Sequence, residues 1–359
     1  MEQKTMMALR YHEPGQYSLD EAPVPKLINP TDAIARVTLS TICTSDVHMV
    51  HGHIPTVNEA IKAAGPRIVG HEFCAEVVQV GEAVKNFKAG DRVHVKAGIE
   101  CHECAMCKLG MPTFCAQGGV FGTSRYDGCQ AEYVRIPFAD ATMIHIPQGL
   151  TEEDVLLLSD MLGTAWFGIK NAGLSPGQSV AVIGVGPVGQ SACLLASKVF
   201  GAKQVIAVDL IESRVNAALQ AGVADIGIVA GQEDVAAKIA AATGGVGVDA
   251  TIETAGNQEA MNTAFAATRI NGVVSTVSVF AQPLVVPFNQ IVYKNLSIKM
   301  GIQKLEGVEE LLALLQKGII DTKYILTHRA PLNDIMKGYD VFGNHEDGCI
   351  KWVVTPYER

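Results

Sequence analysis

Apolar positions alternate, or run together as β-branched stretches, at 34–39, 75–80, 92–95 and 132–136, with Pro and Gly between them. That texture predicts a strand-rich first 150 residues, with 84–93 as a turn feeding a strand. From about residue 152 the period changes. Helical spacing at 152–158 and 166–171 is followed by strands at 179–183, 205–208, 248–253 and 272–277, alternating with helices at 188–200, 213–221, 235–242 and 258–267. Strands and helices of those lengths, taken in turn, imply βαβ units on a parallel sheet. Beyond 300 an amphipathic helix at 307–316 and a closing strand at 349–354 return the chain to its first domain. The reading is an α/β protein with boundaries near 160 and 300.

Composition narrows the class. The 359 residues are 48% hydrophobic and 18% charged, enough apolar material for two cores and too much for a disordered chain. A net charge of −9 counts against nucleic acid and anionic membrane as partners. The stretch 179–200 is poor in charge, but its glycines, Pro187 and Gln190 fit a strand–turn–helix better than a membrane span. Nine cysteines cluster at metal-ligand spacing and no apolar leader opens the chain, so a reducing cytoplasmic setting is expected.

Three motifs carry chemistry. Cys43-Thr44-Ser45-Asp46-Val47-His48 is answered by Gly70-His71-Glu72, which offers a thiolate and an imidazole of the kind that catalytic zinc takes, with hydroxyl, carboxylate and a second imidazole beside them. Cys101, Cys104, Cys107 and Cys115 supply four thiolates within 15 residues; four sulfurs saturate tetrahedral zinc, so this lobe, 98–118, reads as a structural site. Its flanks lack the basic face that a nucleic-acid-binding zinc module needs. The third motif, Gly184-Val185-Gly186-Pro187-Val188-Gly189, follows an apolar strand and opens a helix. There the first Gly makes the turn, the second admits a pyrophosphate and the third lets helix meet strand. Twenty residues past Gly189, Asp209 ends a second apolar strand; a carboxylate there binds ribose hydroxyls and repels a 2′-phosphate, favouring NAD over NADP. Arg214 stands close enough to serve either cofactor.

With these motifs in this order, the chain resembles the medium-chain zinc alcohol dehydrogenase/reductase family over nearly its full length. The resemblance implies a GroES-like β-barrel catalytic domain, 1–160 with 301–359, joined to a doubly wound parallel-sheet Rossmann domain, 161–300, with the active site in the cleft between. It makes Cys43 and His71 ligands of a catalytic zinc and Glu72 a glutamate that can enter or leave its shell. Asp160 becomes the third protein ligand, as in bacterial secondary-alcohol dehydrogenases, to which the Cys43 motif is also similar. The family mechanism implies that Ser45 takes the alcohol proton and passes it, through the cofactor ribose, towards His48, while Asp46 orients His71. By family position Lys351 reaches the cofactor pyrophosphate. Two zinc ions per subunit, a small alcohol or ketone substrate and a homodimer or homotetramer follow from the same likeness. Segment 49–68 is longer than in the nearest relatives and carries a short helix at 57–64. Polyol, amino-alcohol or bulky cyclic alcohol oxidation, and a non-enzymatic NAD and zinc sensor, are the rival readings. His51, His53, His94 and His102 carry no assigned role, and Cys74, Cys129, Cys193 and Cys349 read as small core residues.

Overall fold

A computed structural model describes residues 3–357. The chain forms two compact units. One runs up to Asp160 and resumes at Leu326; the other is Met161–Ile325. The segment 301–325, with its helix Val308–Gln316, therefore clusters with the second unit, whereas the sequence pattern assigns it to the first. The amphipathic face explains the difference: Val308, Leu311 and Leu315 are buried there, as they would be against any apolar surface, so periodicity alone did not choose the partner.

In the first unit the strand Ala33–Ile42 is the hub. It pairs antiparallel with Phe73–Val80, with Tyr133–Ile136 and with the closing strand Trp352–Thr355. Residues on both of its faces are buried, as befits a central strand. One core gathers Phe73, Val93, Val95, Val134 and Phe121, with Phe73 and Phe121 edge to face at 5.3 Å. A second gathers Leu9, Tyr11, Ile42, Phe342 and Trp352. The 49–68 segment joins this second core through the helix Pro55–Ala64, which buries Val57 and Ile61 and whose Asn58 accepts from the Tyr11 hydroxyl at 2.6 Å.

The second unit is built on six parallel strands in the order Ile226–Val229, Gln204–Asp209, Ser179–Ile183, Val248–Glu253, Thr268–Thr276, Ser297–Met300. Chain order reverses beside Ser179–Ile183, the switch point at which doubly wound sheets bind nucleotides. That strand is buried throughout, and Ser297–Met300 is an exposed edge.

Candidate active site

Strand register builds the first cluster. Ser40 pairs with Phe73 and the Thr41 N–H donates to the Glu72 carbonyl at 3.1 Å, so Cys43, just past one strand, faces His71 and Glu72, just before the other. Cys43 caps the helix Thr44–Val50, and Asp46 on the first turn accepts the Cys43 N–H at 3.0 Å. The fourth member comes from a single π-turn, Leu158–Leu162, a rare element that recurs at functional sites. The Ser159 hydroxyl anchors that turn by accepting the Ala97 N–H at 3.2 Å, and Asp160 enters the cluster.

One donor atom each from Cys43, His71, Glu72 and Asp160 lies within 4.8 Å of the others. Cys43 Sγ stands 3.8 Å, and His71 Nε2 3.2 Å, from Asp160 Oδ2. Ligands on a tetrahedral zinc would stand about 3.6 and 3.4 Å apart for these sulfur–oxygen and nitrogen–oxygen pairs, from ordinary zinc–ligand bond lengths. The Asp46 carboxylate holds His71 Nδ1 at 3.0 Å, which turns Nε2 towards the cluster. Burial works against protonation of His71, but Asp46, Cys43 and Asp160 raise its pKa well above the ordinary value. Asp160 is held low against its own burial, first by the hydrogen bond to His71. Thiol, imidazole and three carboxylates thus converge with Lys351 as the one buried lysine among them, a donor set that suits a divalent cation.

Lys351 itself is a correction. It is 0% exposed, and its Nζ pairs with both Glu72 oxygens, at 2.9 and 2.7 Å, instead of reaching out towards a pyrophosphate. Thr41 donates its hydroxyl to the same carboxylate. Burial lifts the Glu72 pKa to about 7; Lys351 opposes the rise and Asp160 adds to it. The signal was present in the sequence: a lysine inside the apolar run 349–354 needs a buried counter-charge.

Ser45 Oγ lies 3.3 Å from Cys43 Sγ and 3.4 Å from His71 Nε2, beside the cluster. His48 stands apart from it: its Nδ1 faces His53 Nδ1 at 3.3 Å. The structure therefore brings Ser45, but not His48, into contact with the cysteine and histidine.

The four lobe cysteines form the second cluster, also within 4.8 Å of one another, with sulfurs 3.4–3.8 Å apart across three pairs. Four thiolates at a zinc–sulfur bond of about 2.3 Å would sit about 3.8 Å apart. Main-chain N–H groups of Glu103 and Cys104 point at Cys101 Sγ, at 3.5 and 3.4 Å. Donors of this kind stabilise thiolate charge.

In the second unit the glycine motif makes its turn at the end of Ser179–Ile183. Gly186 caps the helix Pro187–Lys198, with Pro187 in the first turn, where its missing N–H costs nothing. A side chain at Gly189 would put its Cβ 2.0 Å from the Gly184 carbonyl, so only glycine lets helix and strand meet. Gly186 faces open space bordered by the Arg214 guanidinium, 3.7 Å from where a Cβ would be. Asp209 accepts the Val185 N–H at 2.7 Å and the Ile211 N–H at 2.9 Å, so it also holds the glycine turn. Two further residues, unremarked in the sequence, tie the same end of the sheet. Thr254 donates to the Gly184 carbonyl, and the buried Glu253 accepts the N–H groups of Ala255 and Gly256 at 2.8 and 2.6 Å.

Residues 29–148 match the alcohol dehydrogenase GroES-like domain, and residues 187–317 match the zinc-binding dehydrogenase domain. An alcohol dehydrogenase of Cupriavidus necator is 32% identical over 98% of this chain and 99% of its own length. Zinc-type alcohol dehydrogenase B of Aspergillus flavus is 34% identical over 94% of this chain and 78% of its own. The solved structure of alcohol dehydrogenase TADH from Thermus sp. ATN1 superposes with a TM-score of 0.88 at 32% identity, covering 98% of this chain and 99% of that one. A GroES-like domain followed by a Rossmann-like one, matched end to end by such relatives, establishes that the chain belongs to the medium-chain zinc alcohol dehydrogenase family, whose members are oxidoreductases.

Proposed function

We propose that the chain interconverts a secondary alcohol and its ketone with NAD, using a zinc ion held by Cys43, His71 and Asp160 and a second, structural zinc held by Cys101, Cys104, Cys107 and Cys115. The convergence of Asp160 on Cys43 and His71 carries this reading. A zinc ion held there would supply Lewis-acid polarisation for a substrate oxygen, and a nicotinamide in the second unit would supply the hydride acceptor. The chain's own residues do the rest. Asp46 fixes His71 through Nδ1 and leaves Nε2 free to ligate. Lys351 and Thr41 fix the Glu72 carboxylate beside the other three donors, which keeps its charge at hand for the ion. Ser45 Oγ, beside both ligands, takes the substrate proton; His48, which faces His53 rather than Ser45, would receive it only through an intervening hydroxyl such as a bound cofactor's ribose.

In the second unit the N-terminus of helix Pro187–Lys198, reached through Gly184, Gly186, Pro187, Val188 and Gly189, receives the pyrophosphate, with Arg214 alongside. Asp209 binds the adenosine ribose and disfavours a 2′-phosphate. Self-association fits the exposed apolar residues of the second unit: Met300 lies on its edge strand, and Val279, Val285, Phe288 and Tyr293 are exposed in the segment before it.

The test is the initial rate of NADH or NADPH formation across secondary alcohols, diols, amino alcohols and bulky cyclic alcohols. NAD-linked turnover of secondary alcohols, abolished in Cys43→Ala and Asp160→Ala, supports the reading. Turnover confined to diols or amino alcohols would move the substrate class. Faster rates with NADP would overturn the role given to Asp209, and NADH binding without any turnover would favour a sensor.

A further inference from the structure

One buried amide ties the surroundings of the metal-ligand cluster to the helix Ile335–Gly343. Gln130 is fully buried, and its main chain is fixed from two sides: its carbonyl accepts the Leu9 N–H at 2.8 Å and its N–H donates to the Val69 carbonyl at 2.9 Å. Its side chain lies over Gly70, the residue before His71. Gly70 has φ +97°, and a Cβ there would come within 2.6 Å of Gln130 Cγ, so the glycine makes room for the glutamine.

The amide end has its polarity set by its neighbours. Nε2 faces two acceptors, Asp46 Oδ2 at 3.1 Å and the Thr41 carbonyl at 3.2 Å; Oε1 faces one donor, the Tyr339 hydroxyl at 2.7 Å. Reversing the amide would set its oxygen against both acceptors and its NH2 against the hydroxyl, so one orientation alone satisfies the two acceptors. Asp46 Oδ2 then receives Gln130 and the Cys43 N–H, which leaves Oδ1 for His71 Nδ1. Through Thr41 the same amide reaches the residue that donates its hydroxyl to Glu72.

We infer that Gln130, held by Tyr339, is a positioning residue for the metal site: it fixes the Asp46 carboxylate and, through it, the aim of His71 and Cys43. This rests on the zinc reading above. The Gln130 amide bonds Asp46 and the Thr41 carbonyl, and Tyr339 bonds the amide, so both act through Asp46 and Thr41. Without the amide, Asp46 loses one of the donors that stop it rotating, and the imidazole it steers gains freedom. Outer-sphere changes of this kind commonly lower metal affinity by about 10- to 100-fold.

The experiment follows zinc release from the holoenzyme to a chromophoric chelator, with the four-cysteine site of the same chain as internal reference. The wild type should release two ions per chain in two phases. Gln130→Met, close in volume and without polar atoms, should speed the phase that Asp160→Ala abolishes by about tenfold or more and leave the other unchanged. Tyr339→Phe should move the same phase in the same direction by less. The double variant should be no faster than Gln130→Met alone, because the hydroxyl acts through the amide. In cobalt-substituted protein, Gln130→Met should shift the visible bands of the Asp160-dependent site. Wild-type release with unshifted bands would overturn the inference. Acceleration of both phases together would also overturn it, by showing a general loosening of the fold. A wild type that holds only the four-cysteine ion would overturn the zinc reading itself, and would show before any glutamine variant is made.

Discussion

Asp209→Asn removes a charge while keeping the size of the side chain. The aspartate accepts two backbone N–H groups, one per oxygen, from Val185 at 2.7 Å and Ile211 at 2.9 Å, and is 9% exposed. Asparagine has one acceptor oxygen, so one N–H must face an NH2 group. A buried donor left unsatisfied costs about 1–3 kcal/mol. If the Val185 side is lost, the first glycine turn slackens and the cost falls on dinucleotide binding. The expected rise in the NADH dissociation constant is then about 5- to 150-fold, each 1.4 kcal/mol being tenfold. NADPH should lose less, because repulsion of the 2′-phosphate falls at the same time, so the ratio of the two constants moves towards NADPH. Quenching of tryptophan fluorescence on titration with each cofactor measures both. An NADH constant within twofold of wild type, with urea-induced unfolding unchanged, would refute the argument that this carboxylate latches the turn.

Other substitutions test other parts. Asp160→Ala should lower bound zinc from two ions per chain to one by elemental analysis, whereas Cys107→Ser should remove the other ion and leave the 98–118 lobe open to proteolysis. Gly189→Ala places a methyl group against the Gly184 carbonyl and should abolish NADH binding in an otherwise folded chain, seen as lost fluorescence quenching with retained far-UV dichroism. His94 is buried and its pKa is pushed down to about 3, first by desolvation and then by Lys96. The unfolded chain therefore takes up a proton below about pH 6.5 that the folded chain refuses, and stability falls by up to about 1.4 kcal/mol per pH unit between 6.5 and 3. His94→Leu should flatten that slope in acid unfolding curves. Met300→Lys with Tyr293→Ser should reduce the mass of any homo-oligomer in sedimentation, if the exposed edge is the contact.

Much of this was legible in the chain. The parallel sheet announced itself because fully buried strands such as Ser179–Ile183 are unbroken apolar runs, and the glycine motif and the four cysteines have spacings that few other structures need. The strands Thr5–Glu13 and Gln16–Pro23 escaped notice: their pairing is local, but charged residues such as Arg10, Asp20 and Glu21 interrupt the alternation. Ser297–Met300 escaped because four alternating residues are too few to stand out, and the edge strand buries none of them. At the site, spacing pointed to the metal-type side chains but not to what steadies them. The 152–158 helix proved to be a single turn, Glu152–Val155, leading to the π-turn that presents Asp160, and no residue pattern marks an i→i+5 turn. Lys351 and Gln130 lie 279 and 84 residues from the groups they hold, beyond the reach of any local motif.

The carboxyl ends of the parallel strands, where Asp209, Glu253 and Thr254 sit, have a thermodynamic consequence. Their loops are cross-braced by side chains of the chain itself: Asp209 to Val185, Thr254 to Gly184, Glu253 to Ala255 and Gly256. A dinucleotide arriving there meets a surface whose conformational freedom was already surrendered when the protein folded. Association then has little ordering left to do, and the heat capacity change on binding NADH to the second unit should reflect buried ligand surface with little added from loop folding.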